Sequence, residues 1–180
     1  MLNILYRRRS IRRYRDTEVE PEKIDQLVQA ALLSPSSRGL RHLEFMVLDD
    51  RKVLAQLAPA KQGAEHLKGS AAAIVILADP AVSDVWVEDA SIAATIIHLT
   101  AESLGLGSCW IQIRERKHSE AETAEQYVQK ALGIPSHLRV ETIISLGYPS
   151  ENKQPHTYND LDFNKVHRNQ YGEKYLFSRE

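Results

Sequence analysis

The run Ala72-Ala73-Ile74-Val75-Ile76-Leu77-Ala78 constrains this chain more than any other segment. It offers no polar side chain to water, and Asp79-Pro80 stops it. A stretch this short, β-branched at its centre and apolar on both alternating faces, predicts a central strand covered on both sides. Such a strand requires helices packed on either face of a sheet, and the rest of the chain must supply them. At 180 residues with 43% hydrophobic side chains, the chain has enough apolar surface to do this as a single domain, residues 1–180.

Candidate helices and strands follow in mixed order. Ile24, Leu27, Val28, Ala31 and Leu32 recur at one-face spacing behind Pro21, which predicts a helix from about Pro21 to Leu33. Ser34-Pro35 breaks it. Phe45–Leu48 reads as a short buried strand, and Asp49 or Asp50 is placed to cap a helix carrying Val53, Leu54 and Leu57. The longest helix is expected over about Ser83–Leu104, with Ile92, Ala93, Ile96, Leu99 and Ser103 along its stripe and Gly105 and Gly107 at its end. Cys109–Ile113 and Arg139–Leu146 are further strands, the latter closed by Gly147 and Pro149. Between them Ser119 and Glu122 match a capping box for a helix that reaches Leu132 and stops at Gly133 and Pro135. The polar segment Glu151–Glu180 lacks any sustained period, yet holds Tyr158, Phe163, Tyr171, Tyr175 and Phe177. Low hydrophobicity argues for a disordered tail. Five spread aromatics argue for an extended arm anchored on a partner subunit, which is the preferred reading.

Charge and cysteine content narrow the function classes. The formal net charge of −1 provides no global field for nucleic acid or an anionic membrane, so any basic function must be local. Cys109 is the only cysteine, which excludes an internal disulfide and a thiolate zinc cluster. MLNILYRRRS has its apolar residues before its charges, the reverse of an export signal. Ala71–Ala78 and Ile92–Leu99 are too short to span a bilayer, and a soluble, cytoplasmic protein is expected. The seven histidines lack metal-ligand spacing, and His118, His137, His156 and His167 read as surface residues. Glu88-Asp89 reads as a structural pair in an early helical turn.

Three segments are dense in functional groups. Arg7–Arg15 places six guanidinium groups in nine residues around Ser10. Read alone, the run fits a solvated basic face, a nucleic-acid patch, or a compact phosphate site in which guanidinium forks and a hydroxyl grip a dianion. Ser34-Pro35-Ser36-Ser37-Arg38-Gly39 is a hydroxyl-rich turn before a strand, consistent with ordinary turn chemistry. Gly105-Leu106-Gly107-Ser108-Cys109-Trp110 follows a helix instead of opening one, so it is not a dinucleotide fingerprint. Its glycines allow backbone to approach a flat ligand.

Taken in order, these segments resemble the nitroreductase family of FMN-dependent NAD(P)H oxidoreductases. The resemblance begins at Arg8-Arg9-Ser10-Ile11-Arg12-Arg13-Tyr14 and continues through Ala30–Ser37 into Glu44-Phe45-Met46-Val47. Leu67–Ala71, Glu88-Asp89-Ala90, Leu104–Trp110 and Leu146-Gly147-Tyr148-Pro149 extend it over nearly the whole chain. It implies an α+β fold with a central, mostly antiparallel sheet flanked by helices, and a C-terminal arm from about residue 150 wrapped on the partner of a homodimer. FMN would sit at the dimer interface. Arg8 and Ser10 would hold its phosphate, Arg9 the phosphate or ribityl chain, and Arg12 the N1–O2 edge, where reduction builds negative charge. Pro35, Ser36, Ser37 and Arg38 would come from the other subunit, Cys109 and Trp110 would lie beside the ring, and Lys165, His167 and Arg168 would reach the phosphate. No side chain need act as catalyst, because N5 of the flavin would take a hydride from NAD(P)H and the electrons would pass to a small organic acceptor, such as a nitro compound or quinone.

The sequence departs from the family where many members carry Asn, Gln and Trp ahead of the first strand. Gly39, Arg41, His42 and Leu43 occupy that stretch. A different acceptor pocket is expected, and nitroarene reduction does not follow automatically. A flavin carrier or sensor without turnover, and a nucleic-acid module built on Arg7–Arg15, are the alternative readings.

Overall fold

A computed structural model describes residues 1–177, so Ser178–Glu180 of the expected arm lie outside it. The apolar run forms strand β2 (Ala72–Ala78), buried from end to end. It pairs on one side with β1 (Glu44–Leu48) and on the other with β4 (Arg139–Gly147), which in turn carries β3 (Gly107–Gln112). The order is β1-β2-β4-β3, with every neighbouring pair antiparallel. Val75 marks the register, facing Met46 on β1 and Ile143 on β4.

Both faces of β2 are covered, as the sequence requires. Ala73, Val75 and Leu77 join a core with Leu54, Leu57 and Val128. Ala72, Ile74 and Ile76 join a second core with Leu27, Ala94 and Ile97. Helices α3 (Arg51–Leu57) and α5 (Ala124–Leu132) supply the first layer, and α2 (Pro21–Leu32) and α4 (Trp86–Ser103) the second. Asp50 caps α3, its carboxylate accepting from Lys52 N at 2.7 Å.

Two helix expectations are corrected. α5 begins at Ala124, and its capping box is Thr123 with Gln126. Ser119 and Glu122 close a turn just ahead of it. The core face of α4 is Ala90, Ala93, Ala94, Ile97 and Ala101. Of the expected stripe only Ala93 is buried, whereas Ile92 and Ser103 are exposed and Ile96 and Leu99 half-buried. Alanines let α4 lie close to the sheet and to α2, which turns the bulkier apolar row outward.

A short helix, α1 (Leu2–Arg7), was not anticipated. The chain then runs extended beside the sheet, with Ser10 bridging Ser108 in parallel and Ile11 N donating to Ser108 O at 2.9 Å. Two glycines make this docking possible. A Cβ on Gly107 would stand 2.8 Å from Ile11 Cβ, and one on Gly147 would stand 2.9 Å from the Tyr14 ring. The space at Gly107 is thus filled by Ile11, which corrects the expectation that it serves the approach of a flat ligand. The expected arm also changes. Ser150 N donates to Arg13 O and His156 N to Tyr6 O, so residues 150–156 line the chain's own N-terminal segment. Only from Thr157 onward is the tail packed mainly on itself, through Tyr158, Phe163, Tyr175 and Phe177. Among the described residues no helix is long and apolar enough to cross a membrane.

Candidate functional site

The arginine run is divided by its partners. Arg7 pairs with Glu102 at 3.3 Å, Arg15 Nε donates to Pro149 O at 3.1 Å, and the Arg9 guanidinium donates to Gln154 O. Among the described residues the side chains of Arg8, Arg12 and Arg13 make no hydrogen bond or ion pair. Two of these are felt inside the protein. The charge of Arg8 bears on the buried ring of His98, and that of Arg12 on Cys109 and His66.

Ser10 is fixed from both sides, by its bridge to Ser108 and by Lys153 Nζ, which donates to its carbonyl. Glu151 then holds the following turn, its Oε1 accepting from Arg12 N at 2.6 Å and Arg13 N at 3.2 Å. Those bonds keep its carboxyl below the ordinary carboxylate range. Tyr14 completes the anchorage, donating to Ile11 O at 2.6 Å and meeting Ser145 Oγ at 2.8 Å. Burial drives its phenol pKa upward, so it stays neutral.

Beneath this segment lies β3. Ser108 Oγ meets His98 Nδ1 at 2.7 Å. Burial, with the Arg8 charge second, pushes His98 down to about 4, so its imidazole is neutral at pH 7. Cys109 is buried, which raises its thiol pKa. Arg12, Lys153 and Lys61 oppose that rise, whereas Glu151, paired with Lys153 at 3.6 Å, adds to it. Trp110 is half-buried and held edgewise by a relay. Its Nε1 donates to Gln112 Oε1 at 2.8 Å, Gln112 Nε2 donates to Glu141 at 3.1 Å, and the buried Glu141 accepts from Arg114 Nε at 2.8 Å.

The loop after α2 is held from below. Asp89 accepts from Ser37 N at 2.9 Å through one oxygen and meets His42 Nε2 at 2.9 Å through the other. The structural reading of Asp89 therefore fits, while Glu88 stays exposed. Pro35 and Arg38 are exposed and Ser36 and Ser37 half-buried. Among the described residues Arg38 reaches only Asp84, at 3.5 Å.

The structure docks the segment carrying Arg8, Ser10 and Arg12 on the strand that carries Cys109 and Trp110, while the Arg9 side chain turns to Gln154. It does not bring Lys165 or His167 there. Lys165 pairs with Asp162 at 3.4 Å and His167 packs on Tyr171, and neither bonds to Arg8–Arg12 among the described residues. Lys61 and Lys153 were missed, since neither sits in a motif and only the folded chain sets them beside Cys109. Among the described residues no cluster of His, Cys, Asp or Glu is arranged for a metal.

A four-stranded antiparallel sheet between helices, with an N-terminal arginine-serine segment docked on β3, is the nitroreductase type of α+β fold. A family model for the nitroreductase family matches residues 5–79 and 60–148, and the chain belongs to that family of oxidoreductases. An Archaeoglobus fulgidus protein, provisionally named an NADH dehydrogenase/NAD(P)H nitroreductase, is 35% identical over 94% of this chain and 98% of its own length. Among solved structures, an FMN-dependent nitroreductase from Clostridium difficile R20291 is 50% identical, covers 95% of this chain and 100% of its own, and superposes with a TM-score of 0.93. The NADPH:FMN oxidoreductase of Vibrio harveyi, at 24% identity, 97% and 79% coverage and a TM-score of 0.78, shares the fold.

Proposed function

We propose that this chain is an FMN-dependent NAD(P)H oxidoreductase, a single-domain protein working as a homodimer with FMN at the interface. The observation that carries the proposal is the pair of unpaired guanidinium groups, Arg8 and Arg12, presented on either side of Ser10 above β3. Glu151 offsets part of this charge through Lys153, at 3.6 Å, but bonds only the backbone of Arg12, so the guanidinium groups of Arg8 and Arg12 stay open to an anion, and FMN supplies a phosphate and an electron-accepting ring edge. The residues present fit that group. When bound, FMN accepts reducing equivalents from NAD(P)H at N5 and delivers them to a small organic acceptor such as a quinone or nitro compound.

The chain's own residues bind and orient. Arg8 and the Ser10 hydroxyl grip the phosphate, and Arg9, partly spent on Gln154, assists. Arg12, with Lys61, sets a positive potential at the N1–O2 edge that the Lys153–Glu151 pair leaves largely intact, and this favours the charge that develops there on reduction. Cys109 and Trp110 line the ring, Trp110 at an angle fixed through Gln112 and Glu141. Pro35, Ser36, Ser37 and Arg38 reach the site of the other subunit. Lys165 and His167 would join the phosphate from the partner's arm, because their own chain keeps them elsewhere.

The outward row Ile92, Ile96 and Leu99 on α4, together with exposed Leu2, Leu5, Leu32 and Leu33, supports dimerisation, since monomers rarely leave so many large apolar side chains in water. The test separates the arginines. Arg8→Ala removes charge-assisted bonds worth about 1.5–3 kcal/mol, so FMN affinity is expected to fall at least tenfold. Arg12→Ala is expected chiefly to lower the flavin's reduction potential. Equal and negligible effects on affinity and potential in both variants refute the assignment.

A further inference from the structure

We propose that the hollow between α2, the following loop and β1 is the acceptor pocket, and that Arg41 selects acceptors made of one aromatic ring bearing a carboxylate. The proposal deepens the flavin-oxidoreductase reading above and rests on it for the claim that the occupant is reduced.

The hollow measures about 210 Å³. That lies below the roughly 300–1,000 Å³ typical of sites for drug-sized ligands, so it admits a single-ring body and not a dinucleotide. Its walls are apolar at Leu32, Leu43 and Phe45, and Arg41 is the only charged residue lining it. Of its two serines, Ser34 spends its hydroxyl on Ala31 O at 2.7 Å. Ser36 accepts from Arg41 N at 2.8 Å, and on the reading above it also faces the flavin of the other subunit, which would set pocket and flavin side by side. An apolar hollow lined by one arginine, itself exposed, matches an aromatic carboxylate: the ring covers the apolar walls and the fork takes the anion at the edge.

Backbone geometry supports the same assignment. Arg38, Gly39 and Arg41 have φ values of 54°, 68° and 49°. Non-glycine residues visit that left-handed region at a cost, and such residues gather where a ligand is clamped. The loop is locked in this form by Asp89, which holds Ser37 N and the His42 ring, whose side chain is only 3% exposed. Arg41 is thereby presented on a fixed support, and among the described residues its side chain has no ion-pair partner.

The experiment uses the flavin-loaded protein, with benzoate and its neutral isostere benzamide as probes. Calorimetric titration is expected to show benzoate binding at least tenfold more tightly than benzamide. Arg41→Asn, which tolerates positive φ, should abolish the difference, and Arg41→Lys should restore part of it. Benzoate should also inhibit reduction of neutral 1,4-benzoquinone, with an inhibition constant raised about tenfold by Arg41→Asn. Equal binding of the two probes, or discrimination that survives in Arg41→Asn, overturns the proposal. So does benzoate that binds without inhibiting. The visible spectrum of the same sample separates the two readings. Absence of flavin bleaching by NAD(P)H overturns the oxidoreductase reading, while the calorimetry still decides whether Arg41 holds a carboxylate.

Discussion

Gly107→Ala tests how the arginine segment is held. The added Cβ would lie 2.8 Å from both Cβ and Cγ2 of Ile11 and 3.0 Å from Cγ1, inside any real contact distance. Gly107 lies in an extended strand without positive φ, so the substitution carries no backbone strain of its own. Overpacking of this kind costs about 1–3 kcal/mol. Restricting the unfolded chain returns about 0.4–1 kcal/mol. The net expectation is a loss of roughly 1–2 kcal/mol, read as a lower urea midpoint at unchanged slope. Because Ile11 is the residue that must yield, and it sits between Ser10 and Arg12, FMN affinity should fall with stability. Ile11→Ala should cost about 2–4 kcal/mol alone, and the double variant should lose less than the two single losses combined, since the side chain displaced by the new methyl is then gone. Gly69→Ala is the control, because a Cβ there meets nothing within 4 Å. A Gly107→Ala protein with wild-type stability and wild-type FMN affinity refutes the docking argument.

His98 and Arg114 give two further predictions. With a folded pKa of about 4 against an ordinary value of 6.5, His98 takes up its proton in the unfolded chain first. Stability therefore falls as pH drops from about 6.5 to 4, by a ceiling of about 3 kcal/mol at 1.36 kcal/mol per pH unit. His98→Gln should flatten that part of the curve, and an unchanged slope contradicts the assignment. Arg114→Ala leaves the buried Glu141 carboxylate with Gln112 as its remaining side-chain donor, and a cost of about 3–5 kcal/mol is expected in denaturant unfolding. Because the relay ends on Trp110, its fluorescence should shift in the same variant.

What could be read in the chain depended on how local the signal was. β2 was legible to the residue because an uninterrupted apolar run admits few alternatives. α2 was legible because Pro21 and one-face spacing agree. α5 was found, but two consecutive Ser/Thr–Glu/Gln spacings compete for its start, and the one adjoining the helix wins. α4 is apolar on two faces, so periodicity picked the bulky row while close packing buried the alanines. α1, with six residues, is too short to show a period. The arginine-serine pattern located the candidate site, yet which arginines remain unpaired depends on Glu102, Pro149 and Gln154, all at least ninety residues distant. Sequence separation also hid Lys61 and Lys153 near Cys109, and Asp89, 52 and 47 residues from Ser37 and His42, as the support of the loop before β1. In the tail the aromatics suggested an arm, whereas backbone bonds to Tyr6 and Arg13 tie its first part to its own subunit.

The central claim is that Arg8, Ser10 and Arg12 gather FMN for electron transfer from NAD(P)H. The most direct measurement is the visible spectrum of the purified protein, recorded without oxygen before and after NADH or NADPH. The account predicts flavin absorption bands, present on isolation or after adding FMN, that bleach on addition of at least one nucleotide and return with a quinone acceptor. A protein that takes up no FMN contradicts the site, and bound flavin that neither nucleotide bleaches contradicts the enzyme.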